Sequence, residues 1–335
     1  MKYYLLPLKF LTPVHFGDVA EGGNLEKVTF TCHGDTLVSA MINEAAAMGE
    51  NYLADFVNKC RDGKIVFSSM LPYRDNQEER HLYLPKPLLL KTHEEMPAQS
   101  YRELKDNATK MKKQKKVAYI RAAEMSDFLH SGMVNTNVPK FALPMLATRV
   151  NKRLEEPLPY YVGAYCFQNN TGLYFICGVE NTEDIKVVEE LTELLGLSGI
   201  GGKRSSGFGK FTVIGTANEH ALDNSQAEDA AALTIMLNNK ASKQQMCLAP
   251  VYPLEEEIAL VKKGAYKILK RSGFIVSARL TDGVKRNSIY MLAEGSCFPK
   301  GLQGCFTEQE YDGLAHKIYR DGQGLFVGLI DNETK

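Results

Sequence analysis

The 335-residue chain has no tryptophan and a formal net charge of zero. Proteins that hold a polyanion unaided are usually basic overall, so a free-standing nucleic-acid binder is not the first expectation. No stretch approaches the roughly 20 consecutive apolar residues of a membrane span, and no membrane partner is expected. The opening Met1-Lys2-Tyr3-Tyr4 runs straight into a strand-like segment containing a proline, unlike a secretory leader. The seven cysteines (32, 60, 166, 177, 247, 297 and 305) are scattered, with no Cys-x-x-Cys pair and no cysteine–histidine cluster at zinc spacing. Reduced thiols in a cytoplasmic compartment explain them best, and neither metal nor cofactor is expected. No group of Asp and Glu suggests a two-metal site, so no catalytic set is expected.

Hydrophobic residues make up 44% and charged residues 24%, an ordinary globular composition. The length favours two domains. Charge is unevenly spread. Between Arg102 and Arg121 stand eight Lys and Arg against Glu103 and Asp106 alone. Within this run lie Lys110, Lys112, Lys113, Lys115 and Lys116. Acidic residues gather at Glu219–Asp229 and Glu255–Glu257. A neutral chain with one basic segment has a polarised surface, able to meet nucleic acid on one side and protein on another.

The densest motif is Gly199-Ile200-Gly201-Gly202-Lys203-Arg204-Ser205-Ser206-Gly207-Phe208-Gly209. Its glycines permit positive φ and close backbone approach. Lys203 and Arg204 put two cations at that approach, and successive free N–H groups can cup an anion. It is not a Walker loop, because Leu197 stands where the first glycine belongs and Arg204 where the hydroxyl belongs. It is not a dinucleotide fingerprint either, since it follows a helix and opens a strand. A contact with a large anionic backbone fits it better than a plain surface turn.

Along the chain, residues 3–11 read as a strand ending at Thr12-Pro13-Val14-His15-Phe16-Gly17, where His15 sits at a strand-to-loop exit suited to function. A short strand is expected at 28–32. A helix follows, with Asp35 as N-cap and Leu37, Met41, Ile42 and Ala45 on one face. Helix 51–60, strand 65–67 and an extended 83–90 come next. Residues 91–145 read as a long protruding insertion, of the kind that is usually functional. Residues 160–167 and 173–177 flank a turn at 169–172 and predict a hairpin. A helix capped by Thr182 runs to Leu195, with Gly196 as its stop, and strand 210–214 closes the unit. This order is the βαββαβ arrangement of the ferredoxin-like fold, which RNA-recognition modules share. Residues 216–230 read as a linker. Strands at 231–237, 273–280, 288–293 and about 316–330 predict a degraded second copy. The expected fold is therefore α+β, with two ferredoxin-like (RRM-like) domains at 1–215 and 231–335.

Taken together, Pro-Val-His-Phe-Gly at 13–17, Gly34-Asp35-Thr36-Leu37, the glycine loop and Tyr319-Arg320-x-Gly322-x-Gly324 resemble the RAMP superfamily of CRISPR RNA-binding subunits. Within it, the chain resembles the Csm-type 5′-tag-binding subunits of type III-A effector complexes. The resemblance implies a non-catalytic subunit that caps the repeat-derived 5′ tag of a crRNA. Its RNA-binding set would be His15, Gly199, Gly201, Gly202, Lys203, Arg204, Ser205, Ser206, Gly207 and Gly209, with the lysines of 110–116. The glycine N–H groups would approach the RNA backbone, and the 91–145 insertion would act as a thumb. The implied partners are the crRNA, the large Palm-domain subunit and an adjacent backbone subunit. Two other readings stay open: a metal-independent endoribonuclease using His15 as general acid or base, and a pure protein scaffold.

Overall fold

The structure, a computed structural model, describes residues 1–17, 24–77, 79–89, 101–151, 157–275, 284–311, 314 and 316–329. The chain opens with β1 (Lys2–Phe10) and a short pair, β2 (Phe16–Gly17) and β3 (Val28–Thr29). Helices α1 (Gly34–Met48) and α2 (Glu50–Arg61) lead to β4 (Ile65–Phe67), β5 (Leu71–Asn76) and β6 (Glu79–Pro85). Next come α3 (Tyr101–Lys115), β7 (Tyr119–Arg121) and α4 (Met125–Ser131). A hairpin of β8 (Ala142–Asn151) and β9 (Leu158–Phe167) precedes β10 (Thr171–Val179), α5 (Asp184–Ser198) and β11 (Phe211–Val213). Helices α6 (Ala217–His220) and α7 (Glu228–Asn238) connect to β12 (Gln245–Cys247) and α8 (Ile258–Val261). The rest is short strands: β13 (Ile268–Arg271), β14 (Ile289–Leu292), β15 (Cys297–Phe298), β16 (Thr307–Gln309), β17 (Ile318–Arg320) and β18 (Phe326–Gly328).

β10 is the centre of the molecule. Its sequence TGLYFICGV carries no charge, and every residue is buried. A strand covered on both faces shows this continuous apolar character rather than alternation. It pairs antiparallel with β1 on one side and with β4 and β5 on the other. The main sheet runs β11-β1-β10-β5-β6-β7, with β4 also on β10. Successive side chains point to opposite faces. Leu173, Phe175, Cys177 and Val179 therefore meet the apolar faces of α1, α2 and α5. Tyr174 and Ile176 point the other way, toward Leu233 and Leu237 of α7, Met246 of β12 and Val327 of β18. The sheet is thus a wall with helices on one face and much of the C-terminal third on the other.

The α+β class and the antiparallel sheets are as expected, but several local elements differ. The turn before β10 forms, with the Thr171 N–H donating to the Gln168 carbonyl at 3.0 Å, yet the expected 160–177 hairpin does not. β9 pairs with β8 over ten residues, while β10 enters the central sheet. A strand apolar on both faces is more stable covered on both sides than paired with a half-exposed neighbour. Residues 231–237 are helical rather than a strand. Ala230, Leu233 and Leu237 share its buried side, and alanine and leucine are good helix formers.

Residues 117–134 do not protrude. β7 pairs with β6, and Val117, Ile120, Met125, Phe128 and Val134 pack into the back core. Strands of three residues and a helix of seven are too short to show a period. Residues 91–100 of that expected insertion lie outside the described residues. Most of the expected strand 273–280 also falls there, and the pairing found is Ile268–Arg271 with β14. The stretch 216–230 carries α6 and the buried Ala221 and Leu222. Asp35 is not a cap. His33 holds the N-cap position, and the Gly34 N–H donates to Ser69 Oγ at 2.8 Å. Helix α5 starts at Asp184 rather than after Thr182, and it runs through Gly196 to Ser198. A Cβ at Gly196 would lie 2.5 Å from the Phe211 carbonyl oxygen, so this glycine lets helix and strand touch.

One buried acid has a pH signature. Burial pushes the Asp321 carboxyl up to about 7, against the Gln323 N–H that bonds it. Between about pH 4 and 7 the folded chain keeps a proton there that the unfolded chain has released, so stability falls as pH rises through that window. Asp321→Asn should raise the melting temperature at pH 8 and flatten the fall between pH 5 and 8. Parallel melting curves for wild type and variant would refute this.

Candidate nucleic-acid interface

The site is built where β1 ends. The chain leaves the sheet at Leu11 and runs through Thr12–Phe16, and the glycine loop between α5 and β11 lies along this segment. The Leu11 N–H donates to the Lys210 carbonyl, Lys210 N–H to Thr12 Oγ1, Gly209 N–H to the Pro13 carbonyl and Gly202 N–H to the His15 carbonyl, all at 2.8–2.9 Å. Gly199, Gly201, Gly207 and Gly209 have φ between 78° and 90°. Lys203 is also left-handed, at φ 62°. A Cβ at Gly202 would stand 2.5 Å from the His15 ring, and one at Gly201 would stand 2.7 Å from the His15 carbonyl oxygen. Gly199, Gly201 and Gly209 are therefore required twice over, for conformation and for close approach, Gly202 for close approach and Gly207 for conformation.

These bonds revise one expectation. The N–H groups of Gly199, Gly202, Gly207 and Gly209 are used inside the chain, so they do not form an open cradle. What the loop presents outward is side chains. Lys203 and Arg204 are half-exposed, and Ser205 and Ser206 are exposed. Lys203 Nζ stands 5.4 Å over the ring of Tyr160 on β9. Phe208 is buried against Val162, Ala164, Met145 and Tyr160 of the β8–β9 hairpin.

His15 joins the loop to that hairpin. It is buried, and its Nδ1 donates to the Gly163 carbonyl at 2.7 Å. The carbonyl can only accept, so Nδ1 carries the proton. Val14 and Tyr165 exchange backbone bonds alongside. The hairpin is thereby fixed at its base, while Leu146, Val150 and Tyr161 on one side of it stay about half exposed.

A cleft of about 410 Å³ opens between the glycine loop, the start of α1 and the β13–β14 hairpin. His15, Gly201, Gly202 and Arg204 line it from one side, and Arg271, Phe274 and Arg286 from the other. Arg271 clamps Asp35 with two bonds of 2.8 and 2.9 Å and also donates to Thr36 Oγ1 at 2.6 Å. Burial alone would raise the Asp35 pKa, but the Arg271 charge and its hydrogen bonds outweigh that and hold it below the usual carboxylate range. Glu294 is likewise held low against its burial, by the charge and hydrogen bond of His33 at 2.6 Å and by a hydroxyl bond from Ser69.

The sequence pattern groups the lysines of 110–116 with the loop. The structure puts them on α3 and just beyond its end, all exposed. Lys113 and Lys116 line a separate cavity of about 710 Å³ with Lys140 and the aromatic Phe30, Phe141 and Tyr165. Arg271, Phe274 and Arg286 had no counterpart in the sequence, because they carry no local motif and lie far along the chain from the other walls of the cleft, Arg271 being 236 residues from Asp35. No cluster able to hold a metal ion occurs among the described residues, and no described helix is long and apolar enough to cross a membrane.

Residues 240–329 match the family model of the CRISPR Csm4 C-terminal domain. The whole chain is 28% identical over 330 residues to a Csm4 protein of Mycobacterium tuberculosis, covering 95% of each. It is 27% identical to a Csm4 protein of Streptococcus thermophilus, covering 98% of this chain and 99% of that one. In fold it is similar to a Csm3–Csm4 subcomplex of a type III-A interference complex, with TM-score 0.60, 16% identity and coverage of 98% and 100%. It is similar as well to a Csm1–Csm4 cassette in complex with pppApA, with TM-score 0.57, 17% identity and coverage of 99% and 100%. The resemblance to CRISPR subunits seen in the sequence therefore stands, and this chain is similar to Csm4 from end to end.

Proposed function

We propose that this protein is a non-catalytic RNA-binding subunit of a type III-A CRISPR complex, acting in the cytoplasm in antiviral defence. It caps the repeat-derived 5′ tag of the crRNA. The observation that carries this reading is the glycine loop, strapped to the β1 exit with Lys203 and Arg204 turned outward beside a cleft lined by further arginines. Backbone contacts from cations position a nucleic acid without needing a catalytic group. The order β11-β1-β10-β4 with its helices on one face is consistent with one ferredoxin-like unit. The C-terminal third serves as a reduced second unit. In place of the 91–145 insertion, the β8–β9 hairpin acts as the thumb, because it packs on the glycine loop and exposes apolar side chains. Relatives of known structure contain Csm4 with Csm1 and with Csm3. By analogy, this chain docks a large Palm-domain subunit and a neighbouring backbone subunit.

The test is a salt titration of binding to an RNA with a repeat-derived 5′ tag, against a scrambled tag, with products run on a denaturing gel. Tag-dependent, salt-sensitive binding of intact RNA is expected. Lys203→Ala with Arg204→Ala should weaken capture and lower the salt slope by roughly one for each phosphate left without its cation. An unchanged slope would remove the loop from the RNA site. Cut RNA that survives chelator and disappears in His15→Ala would favour the endoribonuclease reading instead.

A further inference from the structure

The cleft holds more positive charge than the chain neutralises. Arg271 and Arg286 line it, and the nearby Arg320 interacts electrostatically with both and with Asp35. Asp35 is fully engaged by Arg271, and Glu294 is engaged by His33 and Ser69. Arg320 is buried and spends Nη1 on the Arg271 carbonyl at 3.1 Å. Arg286 is different. Its Nε is buried with no acceptor, and it forms no ion pair among the described residues. Burial, and then the neighbouring Arg271, lower its pKa against the pull of Asp35 and Tyr311. Buried charges are normally paired, and a guanidinium is shaped to hold a phosphate with two donors. Two further features surround it. Ser39 Oγ, on the α1 wall of the cleft, is also buried without a partner. Phe274 lines the same cleft with 63% of its surface exposed.

We propose that this cleft seats one nucleotide of the bound RNA, with its phosphodiester on Arg286, its base stacked on Phe274 and its ribose toward the hydroxyl of Ser39. The assignment rests on the RNA-binding reading above and adds a place and a chemistry to it. A volume of about 410 Å³ suits one nucleotide, and the cleft opens beside Gly201, Gly202 and Arg204, so the strand continues onto the glycine loop. An unpaired guanidinium, an unsatisfied hydroxyl and an exposed ring match the phosphate, the 2′-hydroxyl and the base of a single-stranded nucleotide.

The experiment uses the full chain co-purified with its partner subunits. The probe is the 5′-tagged RNA and a set of the same RNA carrying one neutral methylphosphonate at each tag position. Wild type should lose about tenfold in affinity at one position. Arg286→Gln should bind the unmodified RNA about tenfold more weakly, with a salt slope lower by about one, and should ignore the methylphosphonate at that position. Arg286→Lys should restore the slope but not the full affinity, because an ammonium lacks the two-pronged geometry. Phe274→Ala, at an exposed position that leaves folding intact, should lose about tenfold with no change in slope. Free AMP in excess should leave the RNA bound; displacement of RNA by AMP would replace the strand with a mononucleotide and overturn the proposal. If wild type binds tagged RNA while Arg286→Gln and Phe274→Ala both keep its affinity, slope and positional profile, the nucleotide seat is wrong and the RNA reading survives. If wild type in its complex shows no tag-dependent binding, both fall.

Discussion

Asp35→Asn should destabilise the folded chain by about 3–5 kcal/mol, read as a lower urea midpoint at pH 7. The size follows from what is left behind. The Asp35 and Arg271 side chains are 4% and 8% exposed, and an amide in place of the carboxylate strands a guanidinium away from water. Removing both charges should be far milder: Asp35→Leu with Arg271→Met should fall close to wild type, since a buried pair is often matched by an apolar pair of similar volume. The pH dependence has a defined sign. The folded pKa of Asp35 is held below its usual value by Arg271. Its contribution is therefore present above the unfolded value near 3.9 and is lost as pH falls through the lower folded value. Wild type should lose stability steeply below about pH 4, and Asp35→Asn should lack that part of the slope. A shift under about 1 kcal/mol at pH 7 would show that the clamp does not hold the β13–β14 hairpin to α1.

The second large effect concerns the glycine loop. Gly209→Ala should abolish tag capture and destabilise the chain, whereas Gly207→Ala should only weaken it slightly. Both glycines are left-handed, at φ 78° and 84°, and an L-residue there costs about 1–3 kcal/mol. The positions differ in space. A Cβ at Gly207 would meet nothing within 4 Å, while one at Gly209 would collide with the backbone of Ile200. That collision breaks the bond from the Ile200 N–H to the Gly209 carbonyl, 3.0 Å, and the strap from Gly209 to Pro13, 2.8 Å. Lys203 and Arg204 then lose the frame that aims them. The measurement is thermal unfolding beside RNA binding for both variants. Equal losses in the two would mean that backbone conformation alone, not the packing of loop on strand exit, sets the loop's function.

Parts of this architecture were legible because they depend on neighbours in sequence. The apolar run at 173–177, the stripe of Leu37, Met41, Ile42 and Ala45, and the stripe of Ile185, Val188, Leu191 and Leu195 each announce a buried face. The glycine loop was legible because only glycine fits φ near 80° beside a backbone. Strand partnership was not legible. The turn at Asn169–Gly172 reads as a hairpin, yet β9 goes to β8 and β10 to β1, because pairing is settled by which faces can be covered at once. Helix α7 was illegible for a related reason, since a short apolar run fits a strand or a buried helix equally well.

The α+β class, the loop that needs glycine and the cations within it all follow from the order of residues alone, because local conformation and composition are properties of adjacent residues. Where those cations face, and what surrounds them, was settled in three dimensions. Folding spent four of the loop's glycine amides inside the chain, those of Gly202 and Gly209 on the β1 exit, and set lysines of the basic run at a different cavity. It also brought Arg271 and Arg286 from the far end of the chain to the same cleft. Charge compensation and desolvation act through space, so Asp35 reads as a helix cap in the sequence and becomes the partner of an arginine 236 residues away in the fold.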